Sequence, residues 1–284
     1  MARNGWHSIT EIAKEITSRE ITSLLNKKAY KDKSPVMANR MRSRLHSIFE
    51  FGKGECVDVN PIADTSRYQG EKTGERTYES DEIKTLWDFF NKLQEPLRSY
   101  FKILLLTGQR RTETQYMRWN DIKHVKGQRI TGWVWTIPAE LSKSNRVHEV
   151  YLSHTCLEII RELKARAGQN PYVFASFIGN DNPIALATIK RAVREVQKNS
   201  GIADFRPHDL RRTVATQMAE MGVPQDVTEK ILNHKHGLGG ALAKVYNRYE
   251  YQAERKQALD RWSHKIKTIL SEESAKVYEL KKTS

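Results

Sequence analysis

The sequence predicts a mainly α protein with one small antiparallel β-sheet, an α+β fold divided into a short helical N-terminal domain and a larger C-terminal domain that carries the sheet. Three observations predict it. Helix-start signals of the form Ser/Thr-x-x-Glu recur, each followed by apolar residues at helical spacing. One interlude, Thr131 to Leu152, breaks that period with runs rich in β-branched and aromatic residues. Between the two parts, the stretch from Asn60-Pro61 to Arg76, with Gly70 and Gly74, is polar and without period, as an interdomain linker is.

In chain order, Ser8 to Glu11 and Thr17 to Glu20 both fit the capping box and start short helices. Ser34-Pro35 starts a third, with proline at the first helical position. Val36, Met37, Met41, Leu45, Ile48 and Phe49 then mark a buried stripe, and Arg40, Arg42 and Arg44 fall on the other face until Gly52 and Gly54 stop the helix. Residues 1–60 thus form the helical domain, residues 61–76 the linker, and residues 77–284 the second domain with a helical tail. The second domain opens with a helix after Ser80 and continues through an apolar helix, Leu97 to Leu106, that turns sharply at Thr107-Gly108. Two strands follow, Thr131 to Pro138 and Val147 to Leu152, with Ser142 to Arg146 as their hairpin loop. Helices are then expected at Thr155 to Ala167, Leu186 to Lys198, His208 to Met221, Gln225 to Asn233 and Gln252 to Leu270. Glycines at 201, 222 and 237–240 separate the later ones.

With 48 basic against 34 acidic side chains the 284-residue chain carries +14, which favours a polyanionic partner. Up to Arg76 there are 14 basic and 10 acidic residues, against 34 and 24 after it, so both domains can face the same polyanion. Lys27, Lys28, Lys31 and Lys33 make a local basic cluster. At 38% hydrophobic the chain can build cores, which excludes disorder throughout. Cys56 and Cys156 form no CxxC pair, so neither a disulfide framework nor a cysteine zinc site is expected, and no metal or cofactor is called for. The longest strongly apolar run, Ile103 to Leu106, is far too short to span a bilayer, and no signal core follows Met1. The expected setting is the cytoplasm.

Several polar residues sit where the local pattern does not demand them. Each has an ordinary structural reading alone, but their order is informative. Thr107-Gly108-Gln109-Arg110-Arg111-Thr112-Glu113, Lys143 in the hairpin, His208-Asp209-Leu210-Arg211, Leu232-Asn233-His234 and then Tyr246 resemble the tyrosine recombinase (phage integrase) family from about Thr77 to Asp260. The segment Tyr246-Asn247-Arg248-Tyr249-Glu250-Tyr251, with Glu254-Arg255 after it, is most similar to the P4-type integrases of prophages and genomic islands. The resemblance implies a core-binding helical domain, here shorter than usual and so incomplete, followed by a catalytic domain. It implies site-specific cutting and rejoining of DNA through a 3′-phosphotyrosine, for integration or excision of a mobile element.

Metal-free cleavage of a phosphodiester needs a hydroxyl nucleophile, cations for the non-bridging oxygens and an acid for the leaving 5′ oxygen. Tyr246 offers a phenol with a pKa of about 10, a better anion and leaving group than serine. Arg110 and Arg211 offer fixed charge and forked donors for a phosphate. By resemblance Lys143 is the general acid, His208 helps take the tyrosine proton or holds the phosphate, and His234 hydrogen-bonds a non-bridging oxygen. Glu113, three residues after Arg110, orients that guanidinium. The TGxR spacing selects Arg110 over Arg111, and His236 competes with His234. Tyr246 lies twelve residues after His234 because of the Gly237 to Gly240 insertion, so Tyr249 is the reserve nucleophile.

Ser34 to Arg40 resembles the core-binding helix of P4-type integrases, with Arg40, Arg42, Arg44, Lys27 and Lys28 as candidates for backbone phosphate contact. The partners implied are double-stranded attachment-site DNA, three further copies in a homotetramer on DNA, and an excisionase or host DNA-bending protein. The segment after Tyr246 is a candidate for docking onto a neighbour, although Ala258, Leu259, Trp262, Ile266 and Ile269 could equally pack on their own core. The alternatives are a topoisomerase-like or resolvase enzyme of the same chemistry, and a DNA-binding protein without activity.

Overall fold

The computed structural model describes residues 12–69, 75–127, 130–166, 168–176, 181–234 and 249–282, the last eleven as helical backbone. Its chain divides into two compact units, residues 1–74 and 75–284. The expected Ser8 to Glu11 helix start lies outside the described residues.

In the first unit, α1 (Ser18–Asn26) begins at Thr17 with the expected capping box: the Glu20 N–H donates to Thr17 Oγ1 at 3.3 Å and the Thr17 N–H to Glu20 Oε2 at 2.9 Å. A single wide π-type turn, Lys27–Lys31, continues it. Proline at N1 starts α2 (Pro35–Phe51). Ile21, Leu25, Phe49, Val57 and Ile62 form the core, with Met41, Leu45 and Tyr68 at its margin.

The face that α2 buries is narrower than the sequence predicts. Met37 and Ile48 are 44% and 64% exposed, and Asn39 lies inside instead. Its amide donates to the Tyr68 carbonyl at 2.9 Å and accepts the Tyr68 N–H at 2.8 Å. The reason is that the covering element is a segment read as linker. Asn60 donates to the His46 carbonyl at 3.1 Å and to Glu50 at 2.9 Å, and Arg42 Nε donates to the carbonyl and hydroxyl of Thr65 at 2.8 and 2.9 Å. Residues 61–69 therefore pack on α2 as part of the first unit.

In the second unit, α3 (Ser80–Lys92) carries a Glu79/Glu82 capping box and packs Phe90 against Phe101 of α4 (Leu97–Thr107), ring centroids 5.2 Å apart. Helix α4 ends at Gly108, φ +65°. A Cβ there would also stand 2.9 Å from Leu232 and 3.0 Å from Val214, so both the turn and the close approach require glycine. A short helix, α5 (Arg111–Gln115), follows.

Among the described residues the strands form one antiparallel sheet in the order β1 (Ile122–Lys126), β2 (Thr131–Ile137), β3 (His148–Leu152), with Trp135 opposite both Ile122 and Val150. Strand β1 has no counterpart in the sequence pattern, because a five-residue edge strand with lysines at 123 and 126 gives little alternation to read. Helices α6 (His154–Lys164), α7 (Leu186–Asn199), α8 (Pro207–Glu220) and α9 (Gln225–Ile231) complete the body. Helix α10 (Gln252–Lys282) seals it. Its apolar stripe is buried in its own unit: Ala258, Leu259, Trp262, Ile266 and Ile269 are all core, and Trp262 Nε1 donates to the Leu105 carbonyl at 2.9 Å. No described helix is long and apolar enough to cross a membrane.

Candidate active site

The site is assembled around the C-terminal end of α9. The last carbonyls of a helix lack partners within it and carry the negative end of its dipole, so they attract cations and donors. Here the last carbonyl of the helix and the two that follow it are taken. The Ile231 carbonyl accepts from Gln109 Nε2 and from His148 Nε2, both at 3.0 Å. The Leu232 carbonyl accepts from Arg211 Nη2, and the Asn233 carbonyl from Arg110 Nη2 at 2.9 Å. The sequence expected this helix to reach Asn233; it stops at Ile231, and Asn233 adopts φ +50°, which turns its carbonyl and side chain into the site.

Arg110 is the N-cap of α5, immediately beyond the Gly108 turn. Glu113, 1% exposed, fixes it twice, accepting the Arg110 backbone N–H at 3.1 Å and Nη1 at 2.9 Å. Arg111 points elsewhere, to Gln115 and Thr112, and its carbonyl accepts the Tyr100 hydroxyl at 2.8 Å.

Arg211, on α8, is 4% exposed and donates Nη1 to the Gly108 carbonyl at 2.9 Å. Burial, then the like charge of Arg110, push its pKa down to about 10, against smaller support from Glu113 and Glu229. The guanidinium is still charged at neutral pH. These bonds engage two of the five N–H donors of each arginine. An anion between the two groups would relieve their mutual repulsion and restore part of the lost solvation, so the pair is suited to holding a phosphate.

His208, in the first turn of α8, keeps an exposed face; partial desolvation, then Arg212 and Arg211, hold its pKa below the ordinary value. It is neutral at pH 7 and able to accept a proton. Burial, then Arg211, also depress His234. Its Nδ1 lies 2.8 Å from Glu229 Oε2. A carboxylate can only accept, so Nδ1 carries the proton and Nε2 of the neutral ring is an acceptor. Donation from His234 Nε2 to a phosphate oxygen therefore requires the doubly protonated ring, a form that Glu229 and a bound phosphate both favour.

Lys143 is exposed in the β2–β3 loop, and the residues on either side of it are held. Asn233 Nδ2 lies 2.9 Å from Ser142 Oγ, Ser142 Oγ 2.7 Å from Ser144 Oγ, and Ser144 Oγ 3.0 Å from Asn233 Oδ1. The same asparagine therefore meets Arg110 through its backbone and the lysine loop through its side chain.

The structure thus brings together Arg110, Glu113, Arg211, His208, His234 and the loop of Lys143. Tyr246, His236 and the Gly237 to Gly240 insertion lie outside the described residues. Tyr249 is 43% exposed, with its hydroxyl donating to Glu254 Oε1 at 3.2 Å and its ring edge-on to Tyr251.

In the first unit, Lys27, Arg40 and Arg44 are exposed, Lys28 pairs with Asp32 at 3.0 Å, and Arg42 is tied to Thr65. Sequence reasoning missed Gln109, Ser142, Ser144, His148 and Asn233. Four of them adjoin a quoted motif residue, a usable signal, but their pairing across roughly 90 to 120 residues is set by the fold.

Residues 76–252 match the phage integrase family. The chain is 27% identical over 265 residues to the prophage integrase IntZ of Escherichia coli (strain K12), covering 90% of this chain and 61% of the relative. It is 31% identical over 184 residues to the integrase of Salmonella phage P22, covering 62% and 45%. It thus spans less than two thirds of the length of these curated relatives. Among solved structures, a lambda integrase (residues 75–356) dimer bound to a COC′ core site superposes with a TM-score of 0.62 at 22% identity, over 78% of this chain and 80% of that one. That likeness is one of fold.

Proposed function

Because the chain belongs to the phage integrase family, we propose that it is a tyrosine site-specific DNA recombinase that integrates or excises a mobile element. The reaction begins when the Tyr246 oxygen attacks a backbone phosphorus. A P–O(Tyr) bond forms and the P–O5′ bond breaks. The tyrosine proton passes to His208, and the departing 5′ oxygen takes a proton from the Lys143 ammonium. Arg110 and Arg211 hold the non-bridging oxygens, and doubly protonated His234 adds a donor. The enzyme is then joined to the 3′ phosphate. A 5′ hydroxyl of the partner duplex attacks that phosphorus and gives its proton to the now neutral Lys143 amine; a new P–O5′ bond forms, the P–O(Tyr) bond breaks and the phenol takes its proton back from His208, so bond energy is conserved and no nucleotide is consumed.

The observation that supports this reading best is the pair of arginines on adjacent carbonyls, Arg110 on Asn233 and Arg211 on Leu232, with the lysine loop anchored to that same Asn233. A passive phosphate binder needs no acid beside its cations. Loss of one such electrostatic donor should cost about 3 kcal/mol of barrier. The first unit serves as the core-binding domain, contacting backbone phosphates through Arg40, Arg44 and Lys27. Exchange of strands between two duplexes uses four active sites, hence four protomers on DNA, in the bacterial cytoplasm and with an excisionase or DNA-bending protein setting direction.

The test is a nicked duplex carrying the attachment site, incubated with the protein in EDTA and resolved on a denaturing gel. Wild type should give a covalent adduct that Tyr246→Phe abolishes and Tyr249→Phe retains. Loss in Tyr249→Phe alone would move the nucleophile, and binding without any adduct would reduce the protein to a DNA binder.

A further inference from the structure

We propose that Asn233 is a positioning residue for Lys143, acting through a closed ring of hydrogen bonds with the two serines that flank the lysine. The inference rests on the recombinase reading above for what the lysine does, but the ring is defined by geometry alone. An amide Nδ2 can only donate and an amide Oδ1 can only accept. The directions follow: Asn233 Nδ2 donates to Ser142 Oγ at 2.9 Å, Ser142 to Ser144 Oγ at 2.7 Å, and Ser144 to Asn233 Oδ1 at 3.0 Å. Each hydroxyl donates once and accepts within the ring. The loop is also braced internally, since the Ser142 N–H donates to the Pro138 carbonyl at 3.1 Å and the Asn145 N–H to the Ser142 carbonyl at 2.9 Å.

Backbone geometry points the same way. Asn233 sits at φ +50°, a conformation that favours glycine and strains other residues, asparagine less than most. A glycine would satisfy the turn and still present its carbonyl to Arg110. The asparagine side chain is what the ring uses. Lys143 lies between its two anchored neighbours, so the ring fixes the point from which the lysine side chain extends. It also fixes that point to Asn233, whose carbonyl holds Arg110 at 2.9 Å. The donor of the leaving-group proton and the cation on the phosphate are thereby referred to one residue, and displacement of a reacting group by about 1 Å can lower a rate on the order of 100-fold.

The experiment uses the full chain with Asn233→Gly, which suits the backbone, and independently Ser142→Ala/Ser144→Ala, which leaves Asn233 in place. Two readouts are taken. Amide hydrogen exchange of the free proteins should be faster across residues 139–147 in both variants and unchanged in α8. Adduct formation is then compared on ordinary nicked DNA and on DNA with sulfur replacing the bridging 5′ oxygen at the scissile phosphate, a leaving group that departs as thiolate without a proton. On ordinary DNA both variants should react about 10- to 100-fold more slowly than wild type. On sulfur DNA they should return to within a few-fold of it, as Lys143→Ala does. Equal losses on both substrates would overturn the proposal, because Asn233 would then act through Arg110 or the fold. Unchanged exchange in the loop would overturn it equally, even if wild type forms no adduct and the recombinase reading itself has fallen.

Discussion

His148 stands behind the site rather than in it. It is 6% exposed at the start of β3, and burial, then the nearby charge of Arg255, drive its pKa down to about 3 from an ordinary value near 6.5. The neutral ring donates Nε2–H to Ile231, a bond that helps hold the end of α9 on which both arginines rest. Between pH 6.5 and 3 the unfolded chain binds a proton here that the native one refuses. Stability is therefore insensitive to this group above pH 6.5 and falls below it by about 1.4 kcal/mol per pH unit. His148→Gln keeps a donor for Ile231 without the titration. Urea midpoints at pH 7 and pH 5 should differ less in the variant than in wild type, by roughly 2 kcal/mol of stability as an upper bound. His208 and His234, depressed in the same direction, retain part of the acid sensitivity. An identical pH 7 to 5 difference in the two proteins would show that His148 is not held neutral by the fold.

Helix α10 is anchored in part by Trp262. Trp262 is fully buried and its indole N–H reaches the Leu105 carbonyl of α4. Trp262→Ala removes that packing and leaves the carbonyl unmatched, a loss of about 3 to 5 kcal/mol; thermal unfolding should fall correspondingly, and a shift of under a degree would mean that the helix contributes little to its own unit. Its stripe was legible at helical spacing, as were the caps at Thr17 and Pro35, because such signals depend only on neighbours in the chain. Other features depend on partners far away. The stripe of α2 read too wide because Met37 and Ile48 have helical spacing yet nothing described covers them, and Asn39 reads as surface although Tyr68 receives it. In the site the motif order placed Arg110, Arg211, His208 and His234 in sequence. The α9 terminus that gathers them, and the ring through Ser142, Ser144 and Asn233, were not legible, because no local pattern records a bond across 91 residues.

For the molecule as a whole, a charge of +14 distributed over both parts makes the proposed binding to DNA a counterion-release problem. Each lysine or arginine that neutralises a phosphate adds about 0.9 to the slope of log affinity against log salt. Arg40→Ala and Arg44→Ala should each lower that slope by about 1. Arg42→Ala, tied to Thr65 in the free protein, should instead lower the stability of the first unit with a smaller change in slope. Equal slopes for all three would remove the distinction between them. The ring around Lys143 belongs to a different regime. Its three members carry no net charge, so neither added salt nor a change of pH across the neutral range acts on it directly. Ionic strength high enough to release a polyanion would therefore leave the loop between Ser142 and Ser144 where Asn233 holds it.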